Sequence, residues 1–337
     1  MNIKALAKEL GLSTSTVSRA LNGYQDVNQD TRQRVEVAAK AHGYRANAGA
    51  RRLVRGQTEA IGIVYSAAVE NLGNPQFLDM AGGLAERLQA AHFDLMLAVA
   101  SDEQDLEIYD RLFRGGRLDA VVVPNTRVND PRVNYLQERN YPFLAYGRTG
   151  YCADYSWFDF DNQAGSREAV RHLVSLGHRA IAYVHSPLEL NFALQRHSGF
   201  MDGLRDAGLP FDPAWLAGPA VDRRSGLAAV QFLLQQKHRP TAIVVDNNLG
   251  GIGVLRGLLD AGLTLGRDMS VVVHGIIPND SLLAGLDAST VTQPTAYATG
   301  ATMADMVLQV LNAPGDGPYQ TLRQPELVIG QTTGPAP

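Results

Sequence analysis

The chain has 337 residues, 45% of them hydrophobic and 19% charged, with a formal net charge of −4 and one cysteine, Cys152. No apolar run approaches a bilayer span, no export signal is recognisable, and a lone thiol permits neither an internal disulfide nor a cysteine zinc cluster. Membrane-spanning and disulfide-framed classes are therefore excluded, and a cytoplasmic globular protein with no metal or cofactor is expected, its length suiting a small domain plus a larger one. The charge is divided: residues 1–56 carry ten Lys/Arg against four Asp/Glu, net +6, and the remainder 20 against 30, net −10, a basic head on an acidic body, which implies that the head alone meets nucleic acid.

Ile3, Leu6, Ala7 and Leu10 recur at helical spacing and predict a short first helix, capped by Asn2 and stopped by Gly11. Ser13 caps a second helix, whose Val17, Ala20 and Leu21 face the first. Thr14, Ser15, Thr16, Ser18 and Arg19 are left outward. Short side chains let a helix enter the major groove closely, an arginine fork can bond a guanine edge, and hydroxyls suit phosphates. Arg19 with Thr14 and Ser15 is thus predicted to read bases, and Ser13, Thr16, Ser18 and Asn22 to hold phosphates. Asn28 caps a third helix, with Val35, Ala38, Ala39 and His42 on its apolar face, Gly43 ending it and Tyr44 closing the small core. The expectation is an all-α, three-helix, helix-turn-helix headpiece over residues 1–46; the alternative is a helical bundle that merely has a polar outer face.

The segments Ile3-Lys4-x-Leu6-Ala7, Gly11-Leu12-Ser13, Thr16-Val17-Ser18-Arg19-x-Leu21-Asn22-Gly23, Val27, Thr31-Arg32-x-Arg34-Val35 and Gly43-Tyr44-Arg45-x-Asn47 together resemble the headpiece of the lactose-repressor (LacI/GalR) family. The resemblance continues along almost the whole chain. It implies a homodimer, or a tetramer as a dimer of dimers, that binds a near-palindromic operator in double-stranded DNA and answers to a small metabolite, most often a sugar. It also implies that the basic linker 47–57 is a hinge that becomes helical on the operator. Asn47, Ala50 and Leu53 would then join the DNA contacts, with Leu53 as a minor-groove wedge. The alternative for Leu53 is a tether packed on the body.

From residue 58 onward strands and helices alternate. Strands are predicted at 60–65, 95–99, 120–124, 143–146, 180–185, 242–246, 270–274 and 326–330, and helices at 76–92, 103–115, 131–140, 163–176, 195–207, 225–236, 249–261 and 295–311. Such alternation predicts two parallel sheets, an α/β body of two lobes like that of periplasmic binding proteins. Gly250-Gly251-x-Gly253 opens a helix without phosphate-loop spacing and reads as close helix–sheet packing. The resemblance implies three crossings between the lobes, near 159–162, 290–294 and 319–324. Lobe 1 would then span about 58–160 and 292–320, and lobe 2 about 161–291 and 321–337. The ligand would lie between them at the carboxyl ends of the strands.

Candidate effector residues stand at such ends. Asn74-Pro75-Gln76-Phe77 resembles a family motif, so Phe77 either walls the ligand or packs in the core. Arg148, after a strand, either forks a hydroxyl pair or forms a salt bridge. Arg196, in Arg196-x-x-Gly199-Phe200, matches the family arginine that bonds sugar hydroxyls, its alternative being a structural helix-end role. Asp161 either faces the cleft or bonds the crossing backbone; Trp157 and Phe158 either offer a stacking face or are core. Asn247 is a further ligand candidate. Two departures matter: Asn247-Asn248 stands where the family often has Asn-Asp, and Gly275 where it often has an aspartate. The space and the lost negative charge at Gly275 leave a larger or an anionic ligand open. His274 either reports pH or is structural.

No nucleophile elbow, phosphate loop or metal-spaced cluster is present, so no enzyme is expected. The reading is a sequence-specific transcriptional regulator, a repressor of carbohydrate-utilisation genes released by a sugar, with a di- or oligosaccharide among the candidates. The alternatives are a co-repressor system answering a non-sugar metabolite, and a pure solute-binding protein.

Overall fold

The computed structural model describes residues 2–21, 24, 26–44, 57–66, 75–100, 106–150, 154–277, 283 and 285–337. Asn22, Asn47, Ala50, Leu53, Asn74 and Cys152 lie outside them. The chain divides into two compact units, Met1–Glu59 and Ala60–Pro337.

The first unit holds α1 (Ile3–Leu10), α2 (Thr14–Leu21) and α3 (Gln29–Ala41). Their caps follow from the residue types. The Asn2 side chain accepts from the Ala5 N–H at 3.0 Å, Ser13 Oγ from the Thr16 N–H at 3.0 Å, and Asn28 Oδ1 from the Thr31 N–H at 2.8 Å. Gly11 sits at φ 67°, the left-handed turn that lets α2 fold back on α1. Leu6, Val17 and Val35 are wholly buried at the centre, with Ala7, Ala20 and Ala39 around them and Tyr44 at the margin. His42 departs from expectation: it is exposed, and its Nε2 lies 2.8 Å from Glu9 instead of joining the apolar face.

The second unit contains two six-stranded sheets. Sheet 1 has the order β11 (Gln320–Arg323), β5 (Trp157–Phe160), β4 (Phe143–Tyr146), β3 (Ala120–Val123), β1 (Ala60–Ser66), β2 (Asp94–Ala100), all parallel. Sheet 2 has the order β12 (Glu326–Val328), β10 (Ser289–Thr292), β9 (Ser270–His274), β8 (Ala242–Val245), β6 (Ile181–Val184), β7 (Leu216–Ala217); it is parallel except for β12, which runs antiparallel to β10. Central strands such as Ala120-Val-Val-Val and Ala242-Ile-Val-Val are buried on both faces, as β-branched strands covered by helices must be. The covering helices are α4 (Pro75–Ala90), α5 (Glu107–Arg114), α6 (Pro131–Glu138) and α11 (Ala296–Asn312) for sheet 1, and α7 (Asn162–Ser175), α8 (Asn191–Asp206), α9 (Arg223–Leu234) and α10 (Asn248–Asp260) for sheet 2.

Three points differ from the sequence reading. Strands β5, β7, β10 and β11 were not predicted. Because β11 belongs to sheet 1, the last crossing falls at Gln324–Pro325, so residues 321–323 sit in lobe 1. The Gly250–Gly253 run packs against both a helix and the sheet: a methyl on Gly226 of α9 would overlap the Gly250 carbonyl and one on Gly253 the Arg223 carbonyl of α9, while one on Gly251 would meet Val273 of the sheet.

The lobes meet along their loops. Val128 N–H donates to Glu189 C=O at 2.9 Å, and Asn191 N–H to Thr126 C=O at 2.9 Å, an antiparallel bridge between the loop after β3 and the loop after β6. The Asn191 amide and the Thr126 hydroxyl both donate to the Arg148 carbonyl, each at 2.8 Å.

Candidate DNA-binding face and effector cleft

On α2 the exposed positions are Ser13, Thr14, Ser15 and Arg19, with Thr16 and Ser18 half-buried. Val17 and Ala20 point inward, so the 3.6-residue repeat sets this hydroxyl-rich face away from the core. Ser13 Oγ lies 2.7 Å from Ser15 Oγ and 2.8 Å from Thr16 Oγ1. The Arg19 guanidinium pairs with Asp26, with Nε 3.2 Å from Oδ1, and lies 5.2 Å from the centre of the Tyr24 ring.

Between the lobes of the second unit lies a cleft of about 200 Å³. Lobe 1 lines it with Tyr65 at the end of β1, Gln76, Phe77 and Met80 of α4, Asn125 after β3, and Tyr146 at the end of β4. Lobe 2 contributes Gly275 and Ile276 after β9, and Gln293 and Pro294 of the middle crossing close one side with Thr299 of α11. Parallel sheets put their loops at the carboxyl ends of the strands, and these two sheets turn those ends toward each other. Phe77 lines the cleft, packs edge-on to Tyr65 with centroids 5.5 Å apart, and also touches the core under α4. Burial pushes the Tyr146 phenol up to about 12, leaving it a hydrogen-bond donor at neutral pH. Gln76 Nε2 donates to the Ile276 carbonyl across the cleft at 3.4 Å.

Phe77 and Gly275 are the two predicted effector residues that line this cleft. Arg148 donates from Nε to Asp159 Oδ2 at 2.8 Å and lies over Trp157. Asp161 caps α7 through the Ala164 N–H at 3.0 Å and accepts from Gln324. Asn247 caps α10 through the Gly250 N–H at 2.7 Å, and its amide donates to the Ala220 carbonyl at 2.7 Å. Arg196 donates from Nε to Asn162 Oδ1 at 2.9 Å and from Nη1 to the Asp246 carbonyl. Burial lowers the Arg196 pKa against the opposing pull of Asp246, and burial raises that of Asp246 against the opposing pull of Arg196. Asp246 is held by the Ser186 N–H and hydroxyl, both at 2.7 Å. Because Asn162 also donates to Asp159 at 3.3 Å, the two arginines belong to one polar chain, Arg148–Asp159–Asn162–Arg196–Asp246, running from lobe 1 to lobe 2. His274 is structural: it is 2% exposed, its Nε2 lies 2.8 Å from Ser166 Oγ, and burial holds its pKa well below the usual value. Trp157 and Phe158 are core.

Sequence reasoning missed Tyr65, Gln76, Asn125, Tyr146, Ile276 and Gln293. Tyr65, Asn125, Tyr146 and Ile276 stand at or just past the end of a strand, and that rule, applied beyond charged residues, finds them.

A helix-turn-helix unit in one chain with a two-lobed α/β unit, its cleft at the strand ends, defines a DNA-binding regulator with a small-molecule site. Residues 2–47 match the family described as "Bacterial regulatory proteins, lacI family", and residues 58–330 that described as "Periplasmic binding proteins and sugar binding domain of LacI family". The chain belongs to the LacI family of bacterial transcriptional regulators. It is 37% identical over 333 residues to the HTH-type transcriptional regulator RafR of Escherichia coli, covering 98% of each chain. It is 35% identical over 344 residues to AglR of Rhizobium meliloti (strain 1021), covering 100% of this chain and 95% of that one. Its fold matches a solved complex of the transcriptional regulator CelR with cellobiose at a TM-score of 0.73 and 25% identity, over 98% of this chain and 99% of that one. No helix among the described residues is long and apolar enough to cross a membrane.

Proposed function

We propose that this regulator is a homodimeric repressor of carbohydrate-utilisation genes, acting in the cytoplasm, which a neutral saccharide releases from its operator. The observation that carries the reading is the cleft: aromatic rings, amides, phenols and a threonine, with no charged side chain among the described lining residues. Such a surface offers stacking faces and neutral donors and acceptors to a polyhydroxylated ring, and the CelR relative is solved with a disaccharide. In the headpiece, Thr14, Ser15 and Arg19 read bases and Ser13, Thr16, Ser18 and Asn22 hold phosphates; in the hinge, Asn47 and Ala50 contact DNA and Leu53 wedges the minor groove.

In this account closure of the lobes on ligand moves the hinge between its two states. A ligand shifts DNA affinity only by its differential affinity for those states. The test is fluorescence anisotropy of the full chain on the palindrome of its own promoter, at fixed salt because affinity depends steeply on it. Mono- and disaccharides, sugar phosphates and purines are added in turn. Release by one neutral saccharide is the expected result. Tightening by any compound makes the protein a co-repressor system, and a specific complex that no saccharide moves sinks the sugar reading.

A further inference from the structure

Asn247 and Asn248 are adjacent, and the structure treats them differently. The Asn247 side chain is satisfied on every side: its amide nitrogen reaches the Ala220 carbonyl, Ser186 Oγ and Asp246, and its oxygen caps α10. Asn248 is 6% exposed, and its Nδ2 is buried with no hydrogen-bond partner among the described residues. A buried amide donor without an acceptor is costly and rare, and this side chain stands beside the cleft-lining Gly275.

Gly275 supplies the geometry. It lines the cleft at φ 88°, a conformation strained for any side chain. A methyl built there would lie 3.5 Å from Asn248 Cβ, 4.0 Å from Asn248 Cγ and 3.9 Å from Gln76 Nε2. The space that the glycine leaves is thus flanked by Asn248 from lobe 2 and Gln76 from lobe 1, and it is deep enough for an atom in ordinary contact with both. Both flanking groups are neutral amides. A phosphate or carboxylate entering here would lose its water and meet no cation among the described cleft-lining residues.

We propose that Asn248 is a specificity-determining residue of the effector cleft. Its amide donates to an uncharged oxygen, a hydroxyl or an acetal oxygen, of a neutral saccharide seated beside Gly275. This rests on the saccharide reading above and adds to it the group that recognises the ligand and the exclusion of anionic sugars. Asn248 is a ligand-contacting residue in this account, with no part in holding DNA.

The test is titration calorimetry of the full chain, without DNA, against neutral mono-, di- and trisaccharides built from glucose, galactose and fructose, with glucose 6-phosphate and galacturonate as anionic probes. The tightest neutral saccharide is then titrated into Asn248→Ala and into the nearly isosteric Asn248→Asp, which replaces the donor by an acceptor. Affinity is expected to fall roughly tenfold in each, the size of one lost neutral hydrogen bond, while operator affinity without ligand stays unchanged. Single-deoxy analogues of that saccharide separate contact from scaffolding: one of them should bind wild type as weakly as the parent sugar binds Asn248→Ala, and lose nothing further on the variant. Wild type binding no neutral saccharide overturns the sugar reading and this proposal together. Wild type binding one while both variants bind it within twofold of wild type overturns this proposal alone. Tighter binding of an anionic probe, or equal losses for every deoxy analogue on both proteins, also overturns it.

Discussion

Off DNA the Arg19 guanidinium rests between the Asp26 carboxylate and the Tyr24 ring. Both ends of that ion pair are about half exposed, and such pairs contribute little stability. Exchanging Asp26 for a base edge therefore costs the headpiece little. Arg19→Ala is expected to lower preference for the operator over random DNA by about 1–3 kcal/mol, the discrimination of one bidentate base contact. Competition anisotropy on the two sequences measures it; equal losses on both would make Arg19 a phosphate contact. At this scale the cations were legible and their partners were not. The strand-end rule singled out Arg148 and the family motif singled out Arg196, but Asp159 lies 11 residues and Asn162 34 residues away from them, a pairing that exists only once both sheets are assembled. Asp161 was ambiguous, and Asn247 was read as a ligand contact alone, because a cap and a ligand contact ask for the same short polar side chain at the same place.

Among elements, the helix pairs that cover the sheets touch backbone to backbone at glycine. A methyl on Gly300 of α11 would overlap the Met80 carbonyl of α4, and one on Gly253 of α10 would overlap the Arg223 carbonyl of α9. Neither carbonyl can rotate aside as a flexible side chain would. Gly253→Ala is expected to cost about 1–3 kcal/mol by forcing α9 and α10 apart, read as a lower urea midpoint at an unchanged slope; an unchanged midpoint would show that the seam yields freely. The long helices and central strands were legible from apolar periodicity because each buries a wide face. Two of the missed strands, Ser289-Thr-Val-Thr and Gln320-Thr-Leu-Arg, are short and largely polar, and their pairing is made by backbone; a third, Trp157–Phe160, is buried throughout but only four residues long. The bridge between loops 125–130 and 186–191 is also a main-chain contact and leaves no side-chain pattern to read.

For the molecule as a whole, lobe 2 carries a pH liability. Burial holds His172, His178, His197 and His274 below the ordinary histidine value of 6.5. Below that value the unfolded chain takes up protons that the folded chain refuses, so stability falls as pH drops through 6.5 and is level above it as far as these groups act. Melting at pH 5 is expected below that at pH 7.5, by about 2–4 °C for each kcal/mol lost; equal melting temperatures would show these sites to be open to protons in the fold. The order of synthesis adds a second constraint, and it comes from β11 and β12. They are edge strands of different sheets, separated by Gln324 and Pro325 alone. A nascent chain can stack the central strands of both lobes early, yet neither sheet acquires the outer strand on its β5 or β10 side until residues 320–328 leave the ribosome. A product cut short at residue 319 would present β5 and β10 as two bare edges at once, each a template for another such chain, so truncation upstream of this stretch should give aggregates instead of a protein with one sound lobe.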